Sequence, residues 1–191
     1  MNDQTTQLLD LFQASWSRFH GIAPPLAYVL RSAQRTPWVR FHAVPNSKRY
    51  ADSAEERQEI LHRANALGTE ILSPDSDCWL VQCRAEGETM SSPAASSFKP
   101  DASFRFPDAE DDDHQWIAAV TLVRWQERSF DDLLIARADG ETGPTLWMNG
   151  SNGAIFAPYD GGFDLFPASV ADVNRLKARH ADWLSRHPDG L

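Results

Sequence analysis

Hydrophobic residues recur at helical spacing in five stretches of the chain and predict five helices. The predicted ranges are 5–19, 26–33, 54–72, 130–138, and a last helix that begins at Ser169 and ends before His187-Pro188. In the first stretch, Leu8, Phe12 and Trp16 fall on one helix face. The third has the clearest start, because Ser53 and Glu56 form a capping box.

Shorter segments with alternating or continuous apolar residues predict six strands. They cover residues 38–42, 79–84, 116–126, 145–148, 154–157 and 163–166. The segment 116–126 is apolar on both faces as far as Arg124, which is typical of a central strand. The order of elements favours an α+β fold, with a mostly antiparallel sheet of about five to six strands. Helices pack against this sheet, and the N-terminal, central and C-terminal helices are long.

Residues 86–114 interrupt this pattern, since Ser, Pro, Ala and acidic residues dominate and apolar periodicity is absent. A structureless loop of this length is unusual inside a compact domain. The chain is therefore predicted to be a single domain, residues 1–191, with a mobile surface insertion at 86–114 that Phe98, Phe104 and Phe106 attach to the core. The acidic run 110–113 indicates a solvated loop, because the spacing and turn glycine of a calcium site are missing.

Charge and cysteine content narrow the class of protein. The formal net charge is −9, with 27 acidic and 18 basic residues, which argues against general nucleic-acid binding. No apolar run reaches the ~20 residues that span a bilayer, and a basic leader is absent. Cys78 and Cys83 lie five apart in a predicted strand, so they face opposite sides and do not pair. Two thiols without an export signal indicate a cytoplasmic protein.

The basic residues are unevenly distributed, because residues 11–51 contain six cations and no acid. Within that range, the segment 38–50 places Arg40 and His42 on one strand face, and Lys48 and Arg49 follow a Pro-Asn turn. Together these four side chains can hold a carboxylate or a phosphate. The alternative is that Arg40 pairs with an acid at the edge of the core and that Lys48 and Arg49 are ordinary solubility charges of a loop.

A second candidate is the sequence Phe-Ala-Pro-Tyr-Asp-Gly-Gly at 156–162. As a hairpin, it needs Pro158 at the first corner of the turn and glycines 161 and 162 for positive φ. As a site, the same corner presents Tyr159, Asp160 and Asp164 to a ligand. Both interpretations require the backbone to reverse direction here.

Familiar catalytic and cofactor signatures are missing from the sequence. No histidine pair has the spacing of a zinc helix, and no nucleophile elbow, phosphate loop or dinucleotide fingerprint is present. The sequence thus predicts no metal and no cofactor, and it favours a binding protein over an enzyme.

Four motifs carry a resemblance that covers the chain from residue 24 onward. They are Trp-Val-Arg-Phe-His at 38–42, Ser-Lys-Arg-Tyr at 47–50, the 156–162 segment and the ending Asp-Trp-Leu-Ser-Arg-His-Pro-Asp-Gly-Leu at 182–191. The combination resembles a family of small uncharacterised bacterial proteins, a domain of unknown function, which implies a bacterial cytosolic protein and no particular activity. Size, acidity and element order are also similar to those of acidic α+β immunity proteins that neutralise toxins.

Two functional hypotheses follow. The first is a non-catalytic protein-binding module of the immunity type with a toxin-like partner, because acidic surfaces accelerate association with basic proteins. The second is a small-molecule or phosphate-handling enzyme with a pocket between 38–50 and 158–164. There Asp160 or His42 is the base, the basic side chains are anion clamps and Tyr159 is the proton donor. Convergence of the two segments around a concave pocket is the condition that the second hypothesis must meet.

Overall fold

The computed structural model describes residues 3–32, 37–88, 93, 98–108 and 114–184. Five α-helices lie in this part of the chain: α1 Asp3–His20, α2 Ala27–Ser32, α3 Ala54–Leu72, α4 Asp131–Ala138 and α5 Val170–Arg179. The strands are β1 Val39–His42, β2 Asp77–Ala85, β3 Ala102–Pro107, β4 Gln115–Arg124, β5 Thr145–Asn149, β6 Ile155–Tyr159 and β7 Gly162–Phe166. Two short 3-10 helices complete this part of the chain: Pro45–Ser47 lies between β1 and α3, and Ala181–Trp183 comes after α5.

The seven strands form one sheet in the order β1-β7-β6-β5-β2-β4-β3, and every neighbouring pair is antiparallel. This confirms the α+β class and the antiparallel sheet. The expected number of five to six strands is wrong, because the seventh strand, β3, lies inside the supposed insertion. Phe104 and Phe106 alternate there with Ser103 and Arg105, a short period-2 pattern within Ser- and Pro-rich flanks.

The remainder of the 86–114 stretch has a mixed outcome. Phe98 stacks on Phe130, and Phe104 packs against both Phe12 and Phe106, as predicted for residues that attach this stretch to the core. Residues 89–92, 94–97 and 109–113, including the acidic run, lie outside the described residues.

The strand predicted to be central, now β4, is second from one edge of the sheet. Its far end is partly open, since Leu122 is 49% exposed. Other strands are buried on both faces: β2 from Cys78 to Cys83, and β5 and β7 along their whole length. The central strand of the sheet is β5, so the expectation of a central β4 is wrong.

Helices cover both faces of the sheet. On one face, α3, α4 and α5 enclose a core that includes Leu67, Leu80, Trp125 and Trp147. On the other face, α1 and α2 cover a second core formed by the residues Phe12, Trp16, Leu30, Val81 and Met148. Alternation along each strand divides its side chains between the two cores.

The last helix is shorter than predicted. It starts at Ser169, whose hydroxyl accepts from the Asp172 amide as an N-cap, and it ends at Arg179 with His180 as C-cap. The chain then turns, and Leu184 forms an isolated bridge to Phe41 at the β1 edge. The expectation of a long C-terminal helix is therefore wrong for residues 180–184, and residues 185–191 are not described.

The two cysteines lie on opposite faces of the sheet, as predicted: Cys78 in the first core and Cys83 in the second. Both thiols are free and buried, and burial raises the pKa of each to about 12. Since the thiolate is the reactive form, we expect Ellman's reagent at pH 8 to label neither thiol in the native protein and both in 6 M guanidinium chloride. Rapid labelling of the native protein would contradict this burial.

Candidate functional site

The two segments singled out from the sequence lie side by side. Strand β1 pairs with β7 so that Arg40 is opposite Asp164 and His42 is opposite Gly162. Strand β7 also pairs with β6 through the hairpin at 159–162. The backbone therefore reverses direction at this point, as both interpretations of the segment required.

The details of the hairpin differ from the prediction. Tyr159 pairs with Gly162, so the loop itself contains Asp160 and Gly161, and Pro158 lies within β6 opposite Phe163. Pro158 is tolerated there because β5 pairs with β6 only through Ile155 and Phe156.

Positive φ is not the reason for the two glycines of this hairpin, and at Gly162 the reason is space. Neither has φ in the left-handed region. A Cβ on Gly162 would lie 2.2 Å from the carbonyl oxygen of Phe41 and 2.9 Å from the Tyr159 hydroxyl. Gly162 is thus needed because β1 approaches β7 closely at this position.

A buried carboxylate connects the two segments. Asp164 is 4% exposed. It accepts from Arg40 at both oxygens, with Nε–Oδ1 and Nη2–Oδ2 distances of 2.8 Å, and from Trp38 Nε1 at 2.9 Å. Arg31 Nη1 lies 3.9 Å from Oδ2. Asp164 faces the α2 side because its strand neighbours Phe163 and Leu165 belong to the opposite core.

A cavity of about 180 Å³ opens beside this carboxylate, between α2 and strands β5, β6 and β7. We call it the arginine cavity, because three guanidinium groups line it: Arg31 from α2, Arg40 from β1 and Arg137 from α4. Asp164 is the only carboxylate among the described residues of its lining. Tyr28 and Tyr159 also line it, and the apolar wall includes Pro25, Ala27, Leu146 and Ala157.

Arg137 has no acidic partner at salt-bridge distance among the described residues. Its Nε donates to the Pro158 carbonyl at 3.2 Å and its Nη1 to the Thr142 carbonyl at 3.0 Å. Burial lowers the pKa of this guanidinium, and the charge of Asp160 partly opposes that shift. A partly desolvated guanidinium whose hydrogen bonds go only to neutral carbonyl groups is unusual in a folded protein.

Beside Asp164, the side chains of Arg40 and Tyr159 contact each other. The Arg40 guanidinium lies 4.5 Å above the centre of the Tyr159 ring. Burial alone would lower the pKa of Arg40, but its hydrogen bonds with Asp164 raise it overall. Burial raises the pKa of Tyr159 to about 12, against the charge of Arg40. Tyr159 therefore keeps its proton at neutral pH and can donate it in a hydrogen bond.

Four residues proposed from the sequence do not line the arginine cavity: Lys48, Arg49, His42 and Asp160. Lys48 Nζ contacts Asp52 at 2.8 Å and Glu56 at 2.6 Å, and its pKa is raised by these hydrogen bonds. Arg49 Nη2 binds Asp160 at 2.6 Å. His42, at the end of β1, is also outside the lining.

The pKa values of all four are shifted, and those of Asp160 and His42 are lowered. Burial opposes ionisation of Asp160, but hydrogen bonds from Arg49 and Tyr50 outweigh it and lower the pKa. The pKa of His42 is lowered by burial and by the charges of Arg40 and Arg63. Asp160 is therefore an ionised partner of an arginine on the outer side of the hairpin.

Two of the three arginines that line the cavity were not identified from the sequence. Arg31 was noted only as one of six cations in the basic stretch, although its i−3 and i−4 neighbours Tyr28 and Ala27 share its helix face and line the same cavity. Arg137 gave no local signal, since its position depends on how α4 packs against the far end of β6.

A larger cavity of about 720 Å³ lies between α3 and the start of α4, lined in part by His62, Asn65, Glu70 and His180. His180 Nε2 lies 2.8 Å from Glu70 Oε2, and its ring stacks on Trp183 with 4.4 Å between centroids. His180 is thus a hydrogen-bonded imidazole at the edge of the core. Within the described residues, no three His, Cys, Asp or Glu side chains are grouped to hold a metal ion.

Comparison with known proteins assigns a family. No curated protein and no solved structure shows significant similarity to the chain. None of the described helices has the length and apolar character needed to cross a membrane. A family model, DUF3885, described as a domain of unknown function, matches residues 26–188. Since this match covers most of the 191 residues, the chain belongs to the DUF3885 family.

Proposed function

We propose that the protein binds a small anionic molecule, a carboxylate or a phosphate, in the arginine cavity. The observation that carries this proposal is the presence of three guanidinium groups and one carboxylate around a single small cavity. Guanidinium groups are the side chains best suited to recognise carboxylate and phosphate oxygens.

The charges around the cavity are unbalanced. Asp164 forms a bidentate pair with Arg40, so one positive charge is neutralised. Arg31 is 3.9 Å from the same carboxylate, and Arg137 interacts with backbone carbonyls. Two positive charges therefore remain beside the cavity, and an anion would offset their desolvation cost.

The geometry favours binding over catalysis. A general base has to reach the reacting proton directly or through one water. Neither candidate base, His42 or Asp160, lines the cavity, and Asp160 is paired with Arg49. Tyr159 does line it and holds its proton. Of the side chains that the enzyme hypothesis assigned to anion binding, only Arg40 lines the cavity among the described residues.

Substitution of Arg31 tests this proposal. Titration calorimetry with acetate, sulfate, inorganic phosphate and methyl phosphate is expected to show binding of at least one of these anions to the unmodified protein. Arg31→Met keeps most of the side-chain length but removes the charge, so the affinity should fall at least tenfold, which a lost charge-assisted contact of ~1.5–3 kcal/mol produces.

The matched control is Arg105→Met. Arg105 is an exposed arginine of β3 that pairs with Glu86, so its loss should leave the affinity unchanged. Thermal denaturation of each variant shows that it folds. If none of these anions binds, or if Arg31→Met binds as tightly as the unmodified protein, the proposal is wrong.

The hypothesis of a toxin-like protein partner stays a prediction. It rests on the net charge of −9 and on element order, and the arginine cavity is independent of it. A pulldown from the native host that returns no stoichiometric partner would count against it.

A further inference from the structure

We infer that the ligand of the arginine cavity is a small phosphomonoester, held by its phosphate group. This inference rests on the proposed anion-binding function and specifies the class of ligand. Three features of the cavity carry it: the origin of its guanidinium groups, its surplus charge, and the size and polarity of the remaining space.

The first feature is the origin of the three guanidinium groups. Arg31 comes from α2, Arg40 from β1 and Arg137 from α4. A carboxylate offers two oxygens in one plane, whereas a phosphate offers three terminal oxygens on different sides of the phosphorus. Donors that arrive from three separate elements match the phosphate better.

The second feature is charge. After the Arg40–Asp164 pair is formed, Arg31 and Arg137 leave a surplus of two positive charges. A phosphomonoester carries about −1.5 to −2 at pH 7, so it neutralises this surplus almost completely. A monocarboxylate would leave one partly buried guanidinium without compensation.

The third feature is the space that a phosphate would leave unfilled. The cavity of about 180 Å³ corresponds to roughly six water molecules at ~30 Å³ each. It is smaller than the ~300–1,000 Å³ of sites for drug-sized ligands. Ala27, Leu146 and Ala157 provide an apolar wall for a short carbon chain. The volume is too small to enclose a nucleotide.

The experiment is titration calorimetry of the full-length chain at pH 8.0 and pH 5.0. The probes are methyl phosphate, inorganic phosphate, acetate, sulfate and adenosine monophosphate. At pH 8.0, methyl phosphate is expected to bind at least tenfold more tightly than acetate, and at least as tightly as inorganic phosphate, because its methyl group contacts the apolar wall. Adenosine monophosphate is expected to bind more weakly than methyl phosphate.

The pH dependence follows from the ligand. Its second pKa is about 6, so roughly a tenth of it is dianionic at pH 5.0, and its affinity should fall by about tenfold from pH 8.0 to pH 5.0. The ionisable groups that face the cavity are Arg31, Arg40, Arg137, Tyr28, Tyr159 and Asp164, and Asp160 and His42 lie nearby. Sulfate remains dianionic at both pH values, so it reports any titration of the protein itself, and its affinity should stay constant.

Each alternative outcome has a definite meaning. If acetate binds as tightly as methyl phosphate and Arg31→Met weakens both, the phosphate assignment is wrong while the anion-binding function stands. If inorganic phosphate binds more tightly than methyl phosphate, the ligand carries no organic group in contact with the apolar wall. If adenosine monophosphate binds more tightly than methyl phosphate, the size limit is wrong. A pH effect on methyl phosphate equal to that on sulfate overturns dianion selection. Absence of binding by all five probes removes both proposals.

Discussion

Replacing Asp164 by Asn is expected to lower the free energy of unfolding by about 3–5 kcal/mol, the cost of breaking a buried ion pair by removing one partner. The Asp164 side chain is 5% exposed and that of Arg40 is 11% exposed. Water therefore cannot solvate the Arg40 guanidinium in place of the lost carboxylate. Arg31, at 3.9 Å, would lose its nearest acidic group as well. Urea denaturation followed by tryptophan fluorescence measures the change.

The control for this variant is Asp160→Asn on the same hairpin. Asp160 pairs with Arg49, whose side chain is 65% exposed, and exposed pairs contribute little to stability. The expected loss is therefore a small fraction of that caused by Asp164→Asn. Equal losses in the two variants would mean that Asp164 is as hydrated as Asp160 and that the arginine cavity is open to solvent.

Gly162→Ala is expected to destabilise the protein by about 2–3 kcal/mol, in the upper part of the range for overpacking a well-packed position. The added methyl group would overlap the Phe41 carbonyl oxygen at 2.2 Å, and a backbone atom in a strand cannot move away without breaking the β1–β7 pairing. The midpoint of urea denaturation should fall accordingly, since the slope of the transition is unaffected by one methyl group.

Gly161→Ala is the neighbouring control. A Cβ at this position meets only side-chain atoms, Tyr159 Cε2 at 3.1 Å and Arg49 Cγ at 3.6 Å. The tighter contact is with the Tyr159 ring, a side chain that needs to move by only a few tenths of an ångström, so the loss should be clearly smaller than for Gly162→Ala. A larger loss at Gly161 would indicate that turn conformation, and not the approach of β1, fixes the glycine pair.

Local pattern was sufficient for most of the fold. The Ser53 cap and the apolar stripe of α3 gave its bounds, because both signals lie within the helix itself. Strand β3 escaped detection since its alternation spans only Ala102–Pro107 and its flanks carry turn-forming residues. Strand β4 was assigned a central position because apolar composition reports burial and not the order of strands.

The site was harder to predict, because it is built from distant positions. Arg40, Tyr159 and Asp164 were all identified, and the structure brings them together through the β1–β7 pairing. Arg31 and Arg137 reach the same cavity from α2 and α4, and no spacing along the chain encodes that meeting. The expected role of the glycine pair was wrong for the same reason, since the Phe41 carbonyl lies more than 100 residues earlier in the sequence.

The β1–β7 pairing has a consequence for synthesis. Residues 39–42 are made more than 100 residues before their partner strand is complete at residue 166. During translation of the intervening segment, Arg40 lacks its carboxylate partner and β1 has no strand to pair with. A chain that ends before residue 162 would therefore lack both Asp164 and the β1–β7 pairing, so this side of the arginine cavity forms only after β7 has been made.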